Sequence, residues 1–409
     1  MVLFVHNRYR TTGGEERTVE DLLRLVREQL HEPAALLARG PADAASATAR
    51  TRSAIGLLGG GLRPAQVAAA VRESGARVVH AHNLLPSLGW RALAAARAAG
   101  ARVVLHLHQY RLVCAIGVCF THGEECTRCH GRNTLPGVRL NCRGSVPEAL
   151  AYGASLALWQ RRMLAQVDAV IVPSAFARER LRALGASLPW ERVHVLPPPL
   201  RTTPLAAPGA QPADAQPAGA WQAGAQLPGG PQPVWGAQSP GGRYALVASR
   251  LSPEKGVDVA IDACRLAGMA LVIAGEGPER EALLARARAG GGDVRFLGGV
   301  EEPRLAQLRA GAAIALVPSR SSESFGLAAA EAMAAGVPVA ASDVGALSEL
   351  VERDSLVAPA DAAALAGAIA RLAGDRAAGE RARERVRALC APEVVARSLA
   401  SIYDGSAST

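Results

Sequence analysis

The sequence has few aromatic residues and no long apolar run. Phe, Tyr and Trp number five each in 409 residues and together make up 4% of the chain, so Ala, Val and Leu must fill the interior. No stretch reaches the roughly 18 consecutive apolar residues of a membrane-spanning helix. The start, Met1–His6, lacks the basic segment and long apolar core of a signal peptide and instead predicts a β-strand. We therefore expect a cytoplasmic protein.

Lysine is almost absent, and positive charge is unevenly distributed. Residues 1–200 carry 25 basic and 14 acidic residues, a net +11, whereas the rest carries 20 basic and 22 acidic residues, a net −2, which gives +9 in total. A basic first half suits a phosphate-bearing ligand, an anionic membrane surface or nucleic acid, although a GC-rich genome that favours arginine would produce the same excess. Lys255 is the only lysine, which predicts that this position needs a compact ammonium group.

Two series of short, β-branched segments alternate with helical patterns, which indicates two α/β domains with parallel sheets. The chain is long enough for each domain to have its own core. The first series comprises Val2–Val5, Ala35–Ala38, Val78–His82, Arg102–His108, Ala169–Val172 and Arg192–Leu196. The second comprises Tyr244–Ala248, Ala270–Ala274, Val294–Leu297, Ile314–Val317, Val337–Ala341 and Ser355–Val357.

The same pattern sets the expected domain boundaries. Residues 1–200 form the first domain, with a loop-rich insert at 109–147, and residues 243–385 form the second. Between them, residues 201–242 are rich in Pro, Ala, Gln and Gly without apolar periodicity, which predicts a disordered linker. Residues 386–409 contain a helical pattern that we expect to pack back on the first domain.

Two glutamates separated by seven residues mark the strongest candidate site. Glu323 follows the end of a predicted strand, and Glu331 lies two turns into an Ala-rich helix that we expect to begin near Ser324–Phe325. The first N–H groups of a helix attract anions, so the start of this helix is a candidate anion site. Glu323, just before it, could accept hydrogen bonds from sugar hydroxyls, and Glu331 could bind a ribose diol. Incidental surface glutamates on an amphipathic helix are the alternative. The N–H groups concerned belong to Phe325, Gly326 and Leu327.

The segment around these glutamates resembles the E-x7-E signature of family-4 retaining glycosyltransferases, which have the GT-B fold of two Rossmann-like domains facing each other across a cleft. Further segments resemble the same family in the same order, and together they cover nearly all of the chain outside the linker. They are Thr12–Glu15, Val79–Asn83, Leu107–Cys114, Ala248–Asp258 and Ala274–Pro278. The resemblance implies an enzyme whose donor is a nucleoside-diphosphate sugar.

The resemblance also implies how the departing diphosphate is bound. Arg250 and Lys255, together with the helix N–H groups, would stabilise the negative charge that develops as the anomeric bond breaks. Gly13 and Gly14 would let the first loop approach the diphosphate from the opposite side. By the precedent of the family, the acceptor attacks from the face of the leaving group, and the anomeric configuration is retained without a clear enzyme nucleophile.

Two further positions take their roles from the same resemblance. His108 would reach the donor sugar in the cleft, although Gln109 follows it where the family commonly has Asp or Asn. A buried histidine bonded to the backbone is the alternative, and His106 on the same side of the strand is a weaker candidate. Val300 would lie beside the base, whereas Ser174 is explained by capping of the helix that follows it.

Five of the seven cysteines fall within the insert at 109–147. Clustered cysteines in a cytoplasmic protein more often bind a metal than form disulfides. A zinc ion bound by four thiolates would hold together a loop that has few apolar residues for a core of its own. A subset of the family has cysteines at similar places. Reduced thiols and disulfides are the alternatives, Cys119 would be the spare thiol, and Cys264 and Cys390 belong to the core. The expected zinc ligands are Cys114, Cys126, Cys129 and Cys142.

The sequence therefore predicts a retaining hexosyltransferase that moves a sugar from a UDP- or GDP-linked donor to a hydroxyl of a saccharide, a lipid-linked saccharide or a natural product. No cofactor is needed for this chemistry, and structural zinc is the one metal expected. An epimerase-like enzyme on the same fold is the first alternative. A zinc-stabilised nucleic-acid-binding protein is the second alternative. Against it, the basic residues of this chain are scattered along the helices and are not interleaved with aromatic residues, as they are on a nucleic-acid-binding surface. The basic first domain is expected to make peripheral contact with the inner membrane face.

Overall fold

The computed structural model describes residues 1–9, 13–40, 47–200 and 243–406, and it contains two parallel six-stranded sheets. The predicted linker at 201–242 lies outside the described residues, as does Thr12. Each sheet is formed by one half of the chain. The mixed α/β architecture with two parallel sheets confirms the predicted fold class.

The first sheet has the strand order β2-β1-β3-β4-β7-β8, and a separate two-stranded hairpin lies in the insert. The strands are β1 Val2–Asn7, β2 Ala34–Arg39, β3 Val78–Ala81, β4 Arg102–His106, β5 Phe120–Thr121, β6 Glu124–Glu125, β7 Ala169–Val172 and β8 Val193–Val195. The helices are α1 Gly14–Glu28, α2 Ala47–Gly59, α3 Pro64–Ser74, α4 Gly89–Ala98, α5 Leu135–Arg139, α6 Val146–Leu164 and α7 Ala175–Ala183.

The second sheet has the order β11-β10-β9-β12-β13-β14. Its strands are β9 Tyr244–Ala248, β10 Ala270–Ala274, β11 Val294–Gly298, β12 Ile314–Val317, β13 Val339–Ser342 and β14 Leu356–Val357. The helices are α8 Val257–Ala267, α9 Arg280–Gly290, α10 Glu302–Gly311, α11 Leu327–Ala334, α12 Leu347–Leu350, α13 Ala362–Leu372, α14 Arg376–Cys390 and α15 Pro392–Asp404. The strands of these two sheets are the twelve predicted ones, with boundaries shifted by at most two residues.

The central strands are apolar along their whole length because helices cover both faces of each sheet. In the first sheet, side chains of β1 and β3 alternate between two separate apolar clusters. The second of these clusters includes α15, whose Leu399 and Ile402 pack with Phe4 and Leu22. The last described helix therefore returns from the second domain to the first.

The sheet orders determine where a ligand can bind. The chain runs from β1 to opposite sides of that strand, and it does the same from β9, so each sheet has a topological switch point at its first strand. Ligands of open α/β sheets bind outside the carboxyl ends of the strands at such points. The loops after β1 and β4 contact the loop after β12, which places the two switch points opposite each other.

In the described part of the chain, no single helix is long and apolar enough to cross a membrane. By length and composition only, the pair Thr51–Gly59 and Pro64–Ser74 passes the same test together, with a bend of 74° between them.

Candidate active site

Glu323 lies at the centre of the loop between β12 and α11. Its Oε1 accepts hydrogen bonds from Lys255 Nζ at 2.6 Å and from Ser319 Oγ at 2.7 Å. Burial alone would raise the pKa of Glu323, but Lys255 and Ser319 hold it below its ordinary value. Burial would likewise lower the pKa of Lys255, and Glu323 raises it instead. Both side chains are therefore ionised at neutral pH.

The helix that carries Glu331 begins later than the sequence predicts. α11 starts at Leu327 rather than near Ser324–Phe325, with Gly326 as its N-cap. The reason is steric: Gly326 has φ +94°, and a Cβ on it would lie 2.6 Å from Cδ2 of Leu347. Phe325 is buried in the core. The N–H groups of the first turn are consequently those from Leu327 onward, so the anion site shifts along the chain by two residues.

The start of α1 lies directly against the start of α11. Gly13 is the N-cap of α1, and a Cβ on Gly14 would lie 3.0 Å from Cδ2 of Leu327. The first N–H groups of a helix have no partner within the helix, and each helix start is the positive end of a helix dipole. Two positive ends therefore converge in the cleft, where a diphosphate would be stabilised.

Glu331 is held by arginines from both domains. Arg17 Nη1 of α1 lies 2.9 Å from Glu331 Oε1, and Arg309 of α10 donates to the other carboxylate oxygen. Arg309 is only 5% exposed and also binds Glu302 at 2.7 Å. Burial raises the pKa of Glu331, and the two arginines oppose that effect. Sequence reasoning missed Arg17 and Arg309 because nothing in their local pattern distinguishes them from other helix arginines.

His108 lies at the cleft beside a second histidine. Its Nε2 is 2.8 Å from His82 Nδ1, and its ring stacks on His106 with centroids 4.3 Å apart. Its carbonyl oxygen accepts a hydrogen bond of 2.7 Å from Ser324 Oγ. Burial lowers the pKa of His108, although Glu15 opposes this, so the imidazole is neutral near pH 7. A neutral imidazole can donate or accept one hydrogen bond at a sugar hydroxyl.

The histidine contacts continue away from the cleft into the core. His80 Nε2 is 3.2 Å from His106 Nδ1, and His80 Nδ1 is 2.7 Å from Tyr403 Oη on α15. Nitrogen atoms of His80, His82 and His106 all lie within 4.8 Å of one another. Of these histidines, His106 was predicted as a candidate site residue, and His80 and His82 lie in the segment Val79–Asn83 that resembles the family. Their proximity depends on β3 and β4 being neighbours, which a sequence does not state.

Two predicted donor residues lie at the edge of the site. Arg250 is exposed at the end of β9, on the same loop as Lys255. Val300 follows β11 and is half-buried against Leu305 and its neighbours. Both lie on the carboxyl-end side of the second sheet, Arg250 near Lys255 and Val300 further out.

The first domain contacts the glutamate loop through several side chains. Ser174 caps α7 by accepting from Ala177 N–H, as predicted, and its Oγ donates to the carbonyl of Ser324 at 2.7 Å. Tyr110 Oη reaches the carbonyl of Glu323 at 3.5 Å. These contacts hold the two domains together on one side of the cleft.

The cysteines divide as the sequence predicts into core and insert. Cys264 and Cys390 are each 1% exposed, which confirms their place in the core. The five others line one small cavity of about 330 Å³ in the insert. Cys119, expected to be spare, lies at this cavity too.

Comparison with known proteins agrees with this geometry. Residues 13–199 match the model of the glycosyl transferase 4-like domain, and residues 237–388 match that of glycosyl transferases group 1. The chain belongs to the family-4 glycosyltransferases with the GT-B fold. The predicted family and enzyme class are thereby confirmed, whereas membership of a subset with a cysteine-rich insert stays a prediction.

Part of this glycosyltransferase is similar in sequence to characterised enzymes of mycobacteria. A glycogen synthase of Mycobacterium tuberculosis is 38% identical over 172 residues, which are 39% of this chain and 41% of the relative. A phosphatidyl-myo-inositol mannosyltransferase of Mycobacterium leprae is 38% identical over 144 residues, 32% of this chain and 37% of the relative. The chain thus matches about two fifths of the length of these relatives.

Solved structures resemble the glycosyltransferase over nearly its whole length. A sucrose-phosphate synthase from Thermosynechococcus elongatus has a TM-score of 0.65 at 19% identity and covers 99% of both chains. Anabaena HepE, in complex with UDP and glucose, has a TM-score of 0.61 at 18% identity and covers 98% of this chain and 99% of its own. At this identity the likeness establishes the fold.

Proposed function

We propose that this glycosyltransferase moves a sugar from a nucleoside-diphosphate sugar to an acceptor hydroxyl with retention of anomeric configuration. One observation carries the proposal: the partly buried Lys255–Glu323 pair and the starts of α1 and α11 meet where the carboxyl ends of the two sheets face each other. A leaving diphosphate needs positive charge on several sides, and this arrangement supplies it from fixed groups.

The donor would bind with its diphosphate between the two helix starts. Lys255 lies beside this position, and the exposed side chain of Arg250 can reach toward the phosphates from the same loop. Glu331, oriented by Arg309, would accept hydrogen bonds from the ribose hydroxyls, and Val300 would lie near the base. HepE was solved with UDP, whereas some relatives are named GDP-mannose-dependent mannosyltransferases. Either base is therefore included in the proposal.

The sugar would lie between Glu323 and His108. The Glu323 carboxylate is ionised and keeps acceptor capacity beyond its bonds to Lys255 and Ser319, so it can bind sugar hydroxyls. His108 is neutral and would hydrogen-bond to the sugar rather than attack it. The acceptor hydroxyl would approach from the face that the phosphate leaves, and a departing phosphate oxygen would take its proton.

We also propose that the enzyme works in the cytoplasm and touches the membrane through its first domain. Among the described residues, several strongly exposed large apolar side chains are concentrated on α2 and α6, where Arg161 and Arg162 are exposed as well. Apolar side chains next to arginines suit an anionic lipid surface. The apolar residues are Ile55, Leu58, Val146, Leu150 and Leu158. Co-sedimentation with phosphatidylglycerol vesicles but not with pure phosphatidylcholine vesicles is expected, and no sedimentation with either would contradict the contact.

Calorimetry with UDP and GDP, together with donor-dependent transfer assays, tests the main proposal. Glu331→Ala should weaken binding of the preferred nucleoside diphosphate at least about tenfold, because the ribose loses its acceptor. Glu323→Ala should keep most of that binding and lose turnover, because its contacts are to the sugar. Glu384→Ala, an exposed glutamate on α14, is the matched control.

The outcomes separate the individual assignments. If the wild-type protein binds no nucleoside diphosphate, the proposed function is wrong. If Glu331→Ala binds as tightly as wild type, only the position of the ribose is wrong. Release of an isomerised free sugar nucleotide without transfer would indicate an epimerase-like enzyme instead.

A further inference from the structure

The first domain contains an apolar cavity next to His108. It lies between α2, α4, α6 and the loop after β4, and it encloses about 760 Å³ of space including its open side. Its position on the acceptor side of the cleft is suitable for the molecule that receives the sugar. The apolar part of the wall includes Leu84, Leu85, Trp90, Leu156, Trp159 and Met163.

The wall also contains polar side chains, which are Tyr9, Glu15, Asn83, His106, His108, Gln109, Arg111, Ser155 and Gln160. At the end near the cleft, His108 and Glu15 line the cavity. Deeper in the wall, Gln160 is 2% exposed, and its Nε2 donates to the carbonyl of Leu112 at 2.5 Å. Gln160 Oε1 and Trp90 Nε1 are buried without a hydrogen-bond partner among the described residues. Both atoms are enclosed by protein, and Trp90 Nε1 faces Gly60, so the polar groups available to a ligand are those that line the cavity itself.

We infer that the acceptor is amphipathic: a hydroxyl-bearing head lies at His108 and Glu15, and a hydrocarbon or aromatic body fills the cavity and packs against the neighbouring rings of Trp90 and Trp159. This inference rests on the proposed function and narrows its acceptor to compounds with an apolar aglycone. A free oligosaccharide presents polar groups all round and would leave most of them unpaired against this wall. A pocket that is mostly apolar with a few placed polar groups is typical of sites for small amphipathic ligands.

The surface next to the cavity is also apolar. Trp159 Nε1 donates to the carbonyls of Leu57 and Leu58 at 3.1 Å each, which ties α6 to α2 beside the cavity. Leu58 and Leu158 on these two helices are about half exposed. An acceptor whose apolar body is longer than the cavity would therefore continue along an apolar surface.

Alkyl glucosides below their micelle concentrations are the probes for this inference. Because Trp90 and Trp159 line the wall, binding should change the intrinsic tryptophan fluorescence of the full chain. Octyl glucoside should bind saturably and glucose should not. Affinity should rise about two- to fourfold for each added methylene, as expected for burial of hydrocarbon. Transfer to octyl glucoside should likewise exceed transfer to glucose at least about tenfold in kcat/KM.

A matched pair of variants on α6 gives the control. Met163→Gln keeps the length of the side chain but places an amide in the wall, so octyl glucoside affinity should fall at least about fivefold. Ala157→Gln places an amide on the exposed side of the same helix, outside the cavity wall, and should leave the affinity unchanged. Binding of the nucleoside diphosphate reports whether each variant is folded.

The results distinguish this inference from the proposed function. If octyl glucoside and glucose behave alike while a nucleoside diphosphate still binds, the amphipathic acceptor is wrong and the donor site stands. If no nucleoside diphosphate binds, the proposed function is wrong, and the acceptor inference, which rests on it, is wrong as well. Equal effects of Met163→Gln and Ala157→Gln would show that the detergent binds the surface and not the cavity.

An independent observation concerns the five cysteines of the insert. All five line one cavity whose other lining residues are Ala115, Ile116, Phe120, Thr121, Gly137 and Leu140. The donor set is therefore sulfur without carboxylate or imidazole, which suits zinc among the common metals. Among the described residues, only the histidine group has three potential ligand atoms within 4.8 Å of one another. An ion would accordingly have to draw the sulfurs inward.

We propose that this cavity binds one structural zinc ion through four thiolates, with Cys119 as the fifth, spare thiol. The insert has little regular structure between β4 and α6 apart from β5, β6 and α5, although Leu112, Val113, Cys114 and Cys119 pack into the core of the first domain. An ion would link the segments that carry its four ligands. The zinc ligands would be Cys114, Cys126, Cys129 and Cys142.

Elemental analysis of the full chain purified without chelator should give about one zinc per chain. X-ray absorption should show sulfur neighbours only, at about 2.3 Å. A chelator should lower the melting temperature, and Cys126→Ser should lose the ion while Cys264→Ala keeps it. Zinc well below half an equivalent, with the five insert thiols freely titratable in the native protein, would overturn the site. Nitrogen neighbours, with zinc lost in His106→Leu but kept in Cys126→Ser, would assign the ion to the histidines.

Discussion

At Lys255, both the charge and the shape of the side chain matter. The ammonium group lies 2.6 Å from Glu323 and is surrounded by the loops after β9 and β12. An arginine there keeps the charge but brings a planar fork that is larger than the position allows. The absence of any other lysine in a chain with 44 arginines agrees with a specific need for an ammonium group.

We predict that Lys255→Arg lowers kcat/KM at least roughly tenfold, about 1.4 kcal/mol in transition-state stabilisation. Lys255→Met should lower it further, because it also leaves the Glu323 carboxylate buried without its counter-charge. Steady-state kinetics with the best donor measures both, and thermal unfolding checks that the variants are folded. Activity of Lys255→Arg near that of wild type would mean that the lysine is not part of the diphosphate site.

Among the elements, the pair of strands β3 and β4 carries the least usual feature. Four histidines of these strands and the residues after them stack beside one another, and α15 covers one end with Tyr403. Burial lowers the pKa of His80 to about 3 and lowers the pKa of His82 and His106 well below 6.5. The fold therefore holds these side chains in their neutral forms.

This arrangement predicts a loss of stability in acid. Below about pH 6.5 these histidines are protonated in the unfolded chain but remain neutral in the folded chain. The free energy of unfolding therefore falls as the pH decreases toward about 3. Each such histidine contributes a slope of up to roughly 1.4 kcal/mol per pH unit. His106→Leu should make that slope shallower by about this amount, even if it costs stability at neutral pH. Denaturant unfolding at pH 7, 6 and 5 measures the slopes, and identical slopes in both proteins would contradict the prediction.

The contact between α15 and β3 gives a second prediction at this scale. Tyr403→Phe removes the hydroxyl bonded to His80 Nδ1 and leaves that nitrogen buried without a partner. We expect a loss of roughly 1–3 kcal/mol in the free energy of unfolding, with little change in donor affinity. Chemical denaturation and calorimetry measure the two quantities. A stability equal to that of wild type would show that α15 is not tied to the sheet through this bond.

In the whole molecule, the two domains are linked by the apolar packing of α15 on the first domain and by polar contacts across the cleft. Arg17 of α1 crosses the cleft to Glu331 and Glu302, and Ser324 crosses in the other direction to the carbonyl of His108. Partly exposed ion pairs contribute little stability individually. We therefore expect these contacts to affect how the two domains are positioned during turnover, and thus kcat, more than the free energy of unfolding.

We predict that Arg17→Gln lowers kcat roughly threefold to tenfold while the affinity for the nucleoside diphosphate stays within about twofold. Arg17 belongs to the first domain, whereas the ribose is assigned to Glu331 and Arg309 of the second. Arg309→Gln is the comparison, and it should weaken nucleotide binding because Arg309 orients Glu331 from within the same domain. Equal losses of affinity in both variants would place Arg17 in the nucleotide site itself.

The sequence alone determined the features that depend on neighbours along the chain. Runs of buried apolar residues specified the strands, because a parallel sheet covered on both faces requires them. The spacing between Glu323 and Glu331 put one acid in a loop and the other on the helix after it. The start of that helix was predicted wrongly, because Gly326 adopts φ +94° against Leu347, a residue about twenty positions later.

The tertiary structure decided which distant residues meet. Arg17 and Glu331 are separated by more than 300 positions, and their contact exists because two switch points face each other. The histidine stack depends on β3 lying beside β4, and the five thiols share a cavity because the insert folds back on itself. The apolar acceptor cavity is formed by three helices at once. Local patterns report which side of an element is buried, but contacts across a cleft arise only when the sheets and helices are assembled in three dimensions.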